Sequence, residues 1–406
     1  LSGSTASRNI TALSLYSIMR GAGVGAYRTL LPLYLLTLGY SLEIIGGIAT
    51  LALLANVVLL PLLGLLIDSI GRKIIAGTAG LLISLALFIP ASFKYLPLLI
   101  ASYILFYISW AMGQPARSAM LADSVPAEKL GTAFSIVTLG FTASRIFSPY
   151  IAGWMAEAIG YRDAFLAFSA VVLAGVLAFM FIGVETRRVR SKPGVKEVIE
   201  AYKAASRPPR RLRPLYVFTS VDRASWSLWM PLLSAYFGAR FGLTPADVGL
   251  LLSVSSAAQS IMLPLAGRLV DRLGAFRMML ASEVLGIASA LSIAFSAGGM
   301  LYASMIIFGA SLASWIPAYN AIIASLSEAD VRGRIYSSVN MIRMASSVPS
   351  PWIGGTLYHM LQETLPQAPF ILSSVVMSIN VIYMYGKKTA FSEAHPVRVA
   401  ELLPSG

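Results

Sequence analysis

Long apolar runs parted by short polar turns dominate the chain. Runs of span length, about 20 residues, fall near 10–38, 43–70, 73–93, 96–124, 130–158 and 163–184. A second set falls near 214–240, 246–272, 276–297, 299–326, 332–361 and 368–386. The pattern predicts an all-α integral membrane protein with twelve transmembrane helices. The expected organisation is a six-helix half over 1–185, a basic linker over 186–213, a second six-helix half over 214–388 and a tail over 389–406. Within the linker, Val195, Val198, Ile199 and Tyr202 follow helical spacing. A short amphipathic helix on the membrane surface is expected there, as a tether or a contact for anionic lipid.

Composition agrees with the pattern. Hydrophobic residues make up 57% of the 406 and charged residues only 12%, against about 25% in soluble domains. The net charge of +13 would suggest nucleic acid in a soluble chain. Here it gathers on one side of the alternating spans, at Arg72, Lys73, Lys129, the linker, Arg272, Arg277, Arg332, Arg334, Lys387 and Lys388. The other side has little beyond Lys94, Arg162 and Arg240. The positive-inside rule then places both termini in the cytoplasm of a multi-pass cell-membrane protein. The partner implied by the charge is the lipid bilayer, not nucleic acid. No cleavable signal peptide is expected before the first span. The chain lacks cysteine and has two histidines, His359 and His395, which excludes thiol chemistry and argues against a metal centre. No cofactor is expected, and no nucleophile–base constellation suggests an enzyme.

Between the second and third runs stands Gly64-Leu-Leu-Ile-Asp68-Ser-Ile-Gly71-Arg72-Lys73, and its skeleton returns as Gly267-Arg-Leu-Val-Asp271-Arg-Leu-Gly274. Gly64, Asp68 and Gly71 recur 203 residues later, at half the chain length, which marks an internal repeat. Arg20 matches Arg223, Gly39 matches Gly242 and Gly46 matches Gly249 at the same offset. The offset then slips to 202, pairing Pro115-Ala116 with Pro317-Ala318 and Ser148-Pro149-Tyr150 with Ser350-Pro351-Trp352. Gly71 permits a sharp reversal, and Asp68 suits a nearby helix start. Pro149 and Pro351 are expected to kink their helices.

At these residues the chain resembles the major facilitator superfamily, whose signature loop Gly-x-x-x-Asp-x-x-Gly-basic-basic joins helices 2 and 3 and returns, more loosely, between helices 8 and 9. Ser69 departs from the basic residue usual there, and the basic pair is missing after Gly274. The resemblance implies two six-helix halves related by a pseudo-two-fold axis and a secondary active transporter working by alternating access. It implies a cavity lined by helices 1, 2, 4, 5, 7, 8, 10 and 11, with 3, 6, 9 and 12 outside. The implied gate residues are Gly64, Asp68, Gly71, Arg72, Arg117, Asp123, Gly267, Asp271 and Gly274. Asp68 is expected at the start of helix 11, Asp271 at the start of helix 5, and Arg117 with Asp123.

Arg20-Gly-Ala-Gly-Val-Gly-Ala-Tyr-Arg28 looks superficially like a nucleotide loop, but it sits inside an apolar helix with no preceding strand. Gly21 and Gly25 are better read as a close helix contact. The charges within the runs are more informative, because intramembrane charge is costly and usually functional. They are Arg20, Arg28, Arg117, Arg145, Arg223 and Arg343, against Asp222 and Glu283. Glu283 is read as part of a peripheral pair, and Asp222 as a candidate proton carrier. Asn56, Trp226, Gln259, Trp315, Tyr319, Asn320 and Asn340 lie at similar depth and complete a candidate pocket. The surplus of arginine points to a small organic anion as substrate, with protons as a candidate coupling ion and a monomer as the expected state. Organophosphate antiporters of this superfamily resemble the layout, with one arginine on each of helices 1 and 7. A proton-coupled multidrug antiporter with Asp222 as the carrier is the alternative, and a transport-inactive receptor a third.

Overall fold

A computed structural model describes residues 3–126, 129–186, 199, 202–203 and 210–392, with side chains except at 3–4, 64–69, 210, 329–334 and 392. Most of the linker and the tail thus lie outside the described residues, as do the surroundings of Gly64 and the side chain of Asp68. In order, the helices are α1 (Gly3–Thr37), α2 (Leu42–Ile70), α3 (Arg72–Ser92), α4 (Leu96–Ser124), α5 (Leu130–Ala158) and α6 (Tyr161–Ile182). There follow α7 (Arg213–Ser227), α8 (Leu233–Phe241), α9 (Pro245–Leu273), α10 (Ala275–Phe295) and α11 (Met300–Leu326). The last are α12 (Ala329–Ser346), α13 (Ser350–Leu361), α14 (Ala368–Gly386) and the short α15 (Lys388–Ser392). Among the described residues nine helices are long and apolar enough to cross a membrane. Of the remaining expected spans, 1 is a long helix whose hydropathy Arg20 and Arg28 dilute, while 7 and 11 are divided into shorter helices.

Two expected single helices are broken. Span 7 stops at Ser227, passes through a tight turn at Met230–Leu232 and resumes as α8. Span 11 stops at Ser346 and resumes at Ser350. In each case a proline lies just past the break, Pro231 and Pro349. A proline lacks the N–H and its ring clashes with the carbonyl four residues back, here that of Ser227 or Ala345. The repeat mates are Arg28 and Phe147, and α1 and α5 run on unbroken there. The kink expected at Pro149 therefore leaves α5 continuous.

The chain forms two compact units. One comprises Leu1–Tyr40, Leu51–Ala201 and Ser234–Ser253, the other Ser41–Thr50, Tyr202–Leu233 and Val254–Gly406. They follow the repeats except that the start of α2, nearly all of α8 and the start of α9 are grouped with the other half. In the first unit Gly249 abuts the Pro149 carbonyl, and Gly153 the Pro245 carbonyl. In the second, their repeat mates Gly46 and Gly355 abut the carbonyls of Pro351 and Leu42. A side chain at any of the four would strike backbone, so these small residues set how closely the helices approach. Gly21 and Gly25 likewise fit α1 against Ser144 and Ser148 of α5, as the sequence predicts. The first core is built on Leu13, Tyr16, Ala79, Met120 and Phe179, the second on Phe218, Met279, Tyr319 and Ile322. Phe181, Leu139, Ile261 and Ile382 point outward and exposed, which suits lipid contact.

Candidate functional site

In the first unit the arginines come together. Arg20 on α1 is 1% exposed, and none of its three guanidinium nitrogens has a hydrogen-bond partner in the protein. Its charge rests against aromatic faces instead, 5.1 Å from the Trp110 ring centre and 5.6 Å from that of Phe141. Cations over aromatic rings gain about 2 kcal/mol when desolvated, less than the several kcal/mol that burial of a lone ion costs. Arg117 approaches the same place, since both guanidinia pack over Gly113 of α4. It donates to Gln114 Oε1 at 2.6 Å and lies 5.9 Å from the Tyr16 ring centre, while its Nη1 is buried without a partner. Arg145 on α5 shares the Phe141 ring at 5.8 Å and stands within electrostatic range of Arg28. Arg28 itself is exposed. Positive forks with free donors and no acid among them suit a carboxylate or a phosphate.

The second unit is built differently. Arg343 on α12 stacks over Trp315 at 4.7 Å and Tyr319 at 5.4 Å, two rings themselves stacked at 4.4 Å on α11. Tyr336 donates to the Asn320 backbone and side-chain oxygens at 3.1 Å, closing that group. The structure thus unites Arg343, Trp315, Tyr319 and Asn320 as a local cluster. Trp226 is packed in an aromatic core with Trp229 at 5.2 Å and Phe308 at 5.6 Å. Asp222, 2% exposed, lies within electrostatic range of Arg343 and Arg223 and meets Glu283 of α10. Glu283 therefore pairs with the candidate proton carrier itself. Gln259 and Asn340 are half-buried in this unit. Asn56, in the first unit, is 1% exposed with both amide atoms unpartnered.

The signature loop is held by residues that sequence reasoning assigned otherwise. Gly71 adopts φ +122°, the left-handed side that the reversal requires. The Glu185 carboxylate, from the end of α6, accepts the Arg72 and Lys73 backbone N–H groups at 3.1 and 2.9 Å. It thus satisfies the free donors and positive dipole end at the start of α3. Arg72 pairs with Asp123 and donates to the Ala119 carbonyl at 2.7 Å. The expected pairing of Arg117 with Asp123 does not form, because Arg117 turns inward to Arg20. In the second copy Gly274 has φ +86°, Gly267 meets nothing and Asp271 is exposed. Trp110, Phe141, Gln114 and Asn380 were not singled out in advance. Their only signal was a polar or aromatic residue in an apolar run, which periodicity cannot assign to a partner.

Comparison with known proteins places this geometry. The Major Facilitator Superfamily profile matches residues 13–221 and 215–401. Multidrug resistance protein MdtG of Enterobacter lignolyticus is 24% identical over 390 residues, covering 93% of this chain and 91% of that protein. A variant of the nucleoside transporter NupG superposes with a TM-score of 0.77 at 14% identity, covering 93% and 99% of the two chains. The human organic anion transporter MFSD10 (TETRAN) does so at 0.65 and 14%, with the same coverage. These two likenesses speak to the fold. With the profile matched once in each repeat over nearly the whole chain, the protein belongs to the major facilitator superfamily and is a multi-pass membrane transporter.

Proposed function

We propose that the chain moves small organic anions across the membrane, and that Arg20, assisted by Arg117 and Arg145, holds the anionic group. The observation that carries this reading is the buried Arg20 guanidinium with no acid and no acceptor on any nitrogen. A lone buried charge lowers stability, so its retention needs a compensating use, and an anionic ligand supplies one. Aromatic walls at Trp110 and Phe141 suit a flat organic body next to the charge. Arg28, within electrostatic range of Arg145 in the same unit, is a further contact, and the basic segments support both termini in the cytoplasm. Nothing in this reading needs more than one chain.

Thermal shift of the purified protein with benzoate, phenyl phosphate and tetraphenylphosphonium tests it. The anions should stabilise the parent. Arg20→Met should raise the melting temperature of the ligand-free protein, because it removes an uncompensated buried charge, and should abolish the anion shift. Arg20→Lys keeps charge but loses the fork, and should weaken anion binding by about 1.5–3 kcal/mol. Stabilisation by tetraphenylphosphonium alone would overturn the reading. It would favour the second one, efflux of lipophilic drugs, which rests on relatives named for multidrug resistance and on the aromatic stack of Trp315 and Tyr319.

A further inference from the structure

Among the described residues two carboxyl groups are buried, Asp222 at 2% exposure and Glu283 at 0%. They come from α7 and α10 and stand within hydrogen-bond reach of each other. Ionised carboxylates offer acceptors only. Neither oxygen of Glu283, nor Oδ1 of Asp222, receives a donor in bonding geometry from the protein. Asn380 of α14 stands beside Glu283, but its amide nitrogen donates to the Phe218 carbonyl at 3.1 Å, and its Oδ1 is a further buried acceptor without a donor. Acceptor oxygens thus face one another in a dry place where a bare pair of negative charges is costly. A proton on one carboxyl turns that repulsion into a hydrogen bond.

The surrounding charges say which carboxyl holds it. Asp222 faces Arg343 from α12, Arg223 beside it in the chain, the Trp226 indole one turn on, and Tyr319 from α11. Among the described residues, the polar groups acting on Glu283 are Asp222 and Asn380. The positive charges therefore stand on the Asp222 side. The matching positions of the first repeat carry no acids, since the repeat mates are Met19 and Gly80.

We propose that Glu283 carries an exchangeable proton, donated to the Asp222 carboxylate, and that this pair is the proton site coupling the C-terminal repeat to solute movement. The inference rests on the reading of the chain as a solute transporter. Only a proton moves: Glu283 releases it to water on one side of the membrane and regains one from the other. In the deprotonated state the two carboxylates repel, and Asp222 is drawn to Arg343 and Arg223. That competition gives the cluster two arrangements for the proton to select.

Infrared difference spectroscopy of the purified protein, alkaline minus neutral, reads the carbonyl stretch of a protonated carboxyl and its shift in deuterium oxide. One such band is expected in the parent, lost in Glu283→Gln and displaced in Asp222→Asn. Glutamine keeps the size of the side chain and a hydrogen bond to Asp222, so the variant should fold. No band in the parent, a band unchanged in Glu283→Gln, or a band removed by sodium chloride at constant pH would each overturn the proposal. In proteoliposomes, Glu283→Gln should lower phenyl phosphate accumulation driven by a pH gradient by about tenfold or more, while exchange at equal pH persists. Retained gradient-driven accumulation would also overturn it. A parent that shows the band yet moves no phenyl phosphate strikes the anion reading and leaves the proton pair standing.

Discussion

Helices α3 and α10 are repeat mates with matching burial: Ile75, Ala76, Ala79 and Gly80 in one, Met278, Met279, Ser282 and Glu283 in the other. At Gly80 the first unit has no side chain, and the Tyr16 ring fills the space, its hydroxyl donating to the Ala76 carbonyl at 2.7 Å. In the second unit Thr219 stands at the position of Tyr16 and Glu283 at that of Gly80. Met19 likewise becomes Asp222, while the arginine beside it is kept as Arg20 and Arg223. The packing frame was therefore retained while its charge was rewritten. One unit keeps buried arginine with no acid beside it, and the other sets acids among its arginines. A repeat can divide labour in this way because burial depends on shape, whereas binding depends on which charges are left uncompensated.

The comparison can be broken at its backbone first. Arg28→Pro would copy into α1 the residue that interrupts span 7, and should cost about 3 kcal/mol or more. Unfolding of the solubilised protein by sodium dodecyl sulfate would read it. Equal stability of variant and parent would mean that the breaks in the second unit are not set by proline.

A smaller effect is expected where the units differ by one methyl group. Gly354 of α13 packs on the Leu228 carbonyl at the break after α7, and its repeat mate is Ala152. Gly354→Ala should cost about 1–3 kcal/mol by overpacking. Ala152→Gly should cost only about 0.5–1 kcal/mol through backbone freedom. Thermal melts of both variants sharpen the contrast, and equal shifts would remove it.

The smallest effect belongs to the loop copies. Glu185 caps α3, whereas the corresponding position in the second unit is Lys387. Glu185→Gln should destabilise by about 0.3–1 kcal/mol, and up to about 2 for partly buried geometry. Lys387→Ala should leave stability unchanged in the same melt. A larger loss at Lys387 would show that the second loop has a support of its own.

Much of this was legible in the chain itself. Hydropathy set the helices, because a span must satisfy its backbone internally over a fixed thickness. The repeat and the turn glycines followed from spacing, and Gly71 and Gly274 take the positive φ that their positions demand. The same reading located every charge within the apolar runs. It could not say which charges meet. Arg117 was expected with Asp123 yet lies by Arg20, Glu283 was set apart yet meets Asp222, and Glu185 caps the start of α3 with no role foreseen for it there. Periodicity reports the depth and face of a side chain on its own helix. Its partner depends on how neighbouring helices are rotated and how closely they approach, and that was decided by packing through small residues and by two prolines.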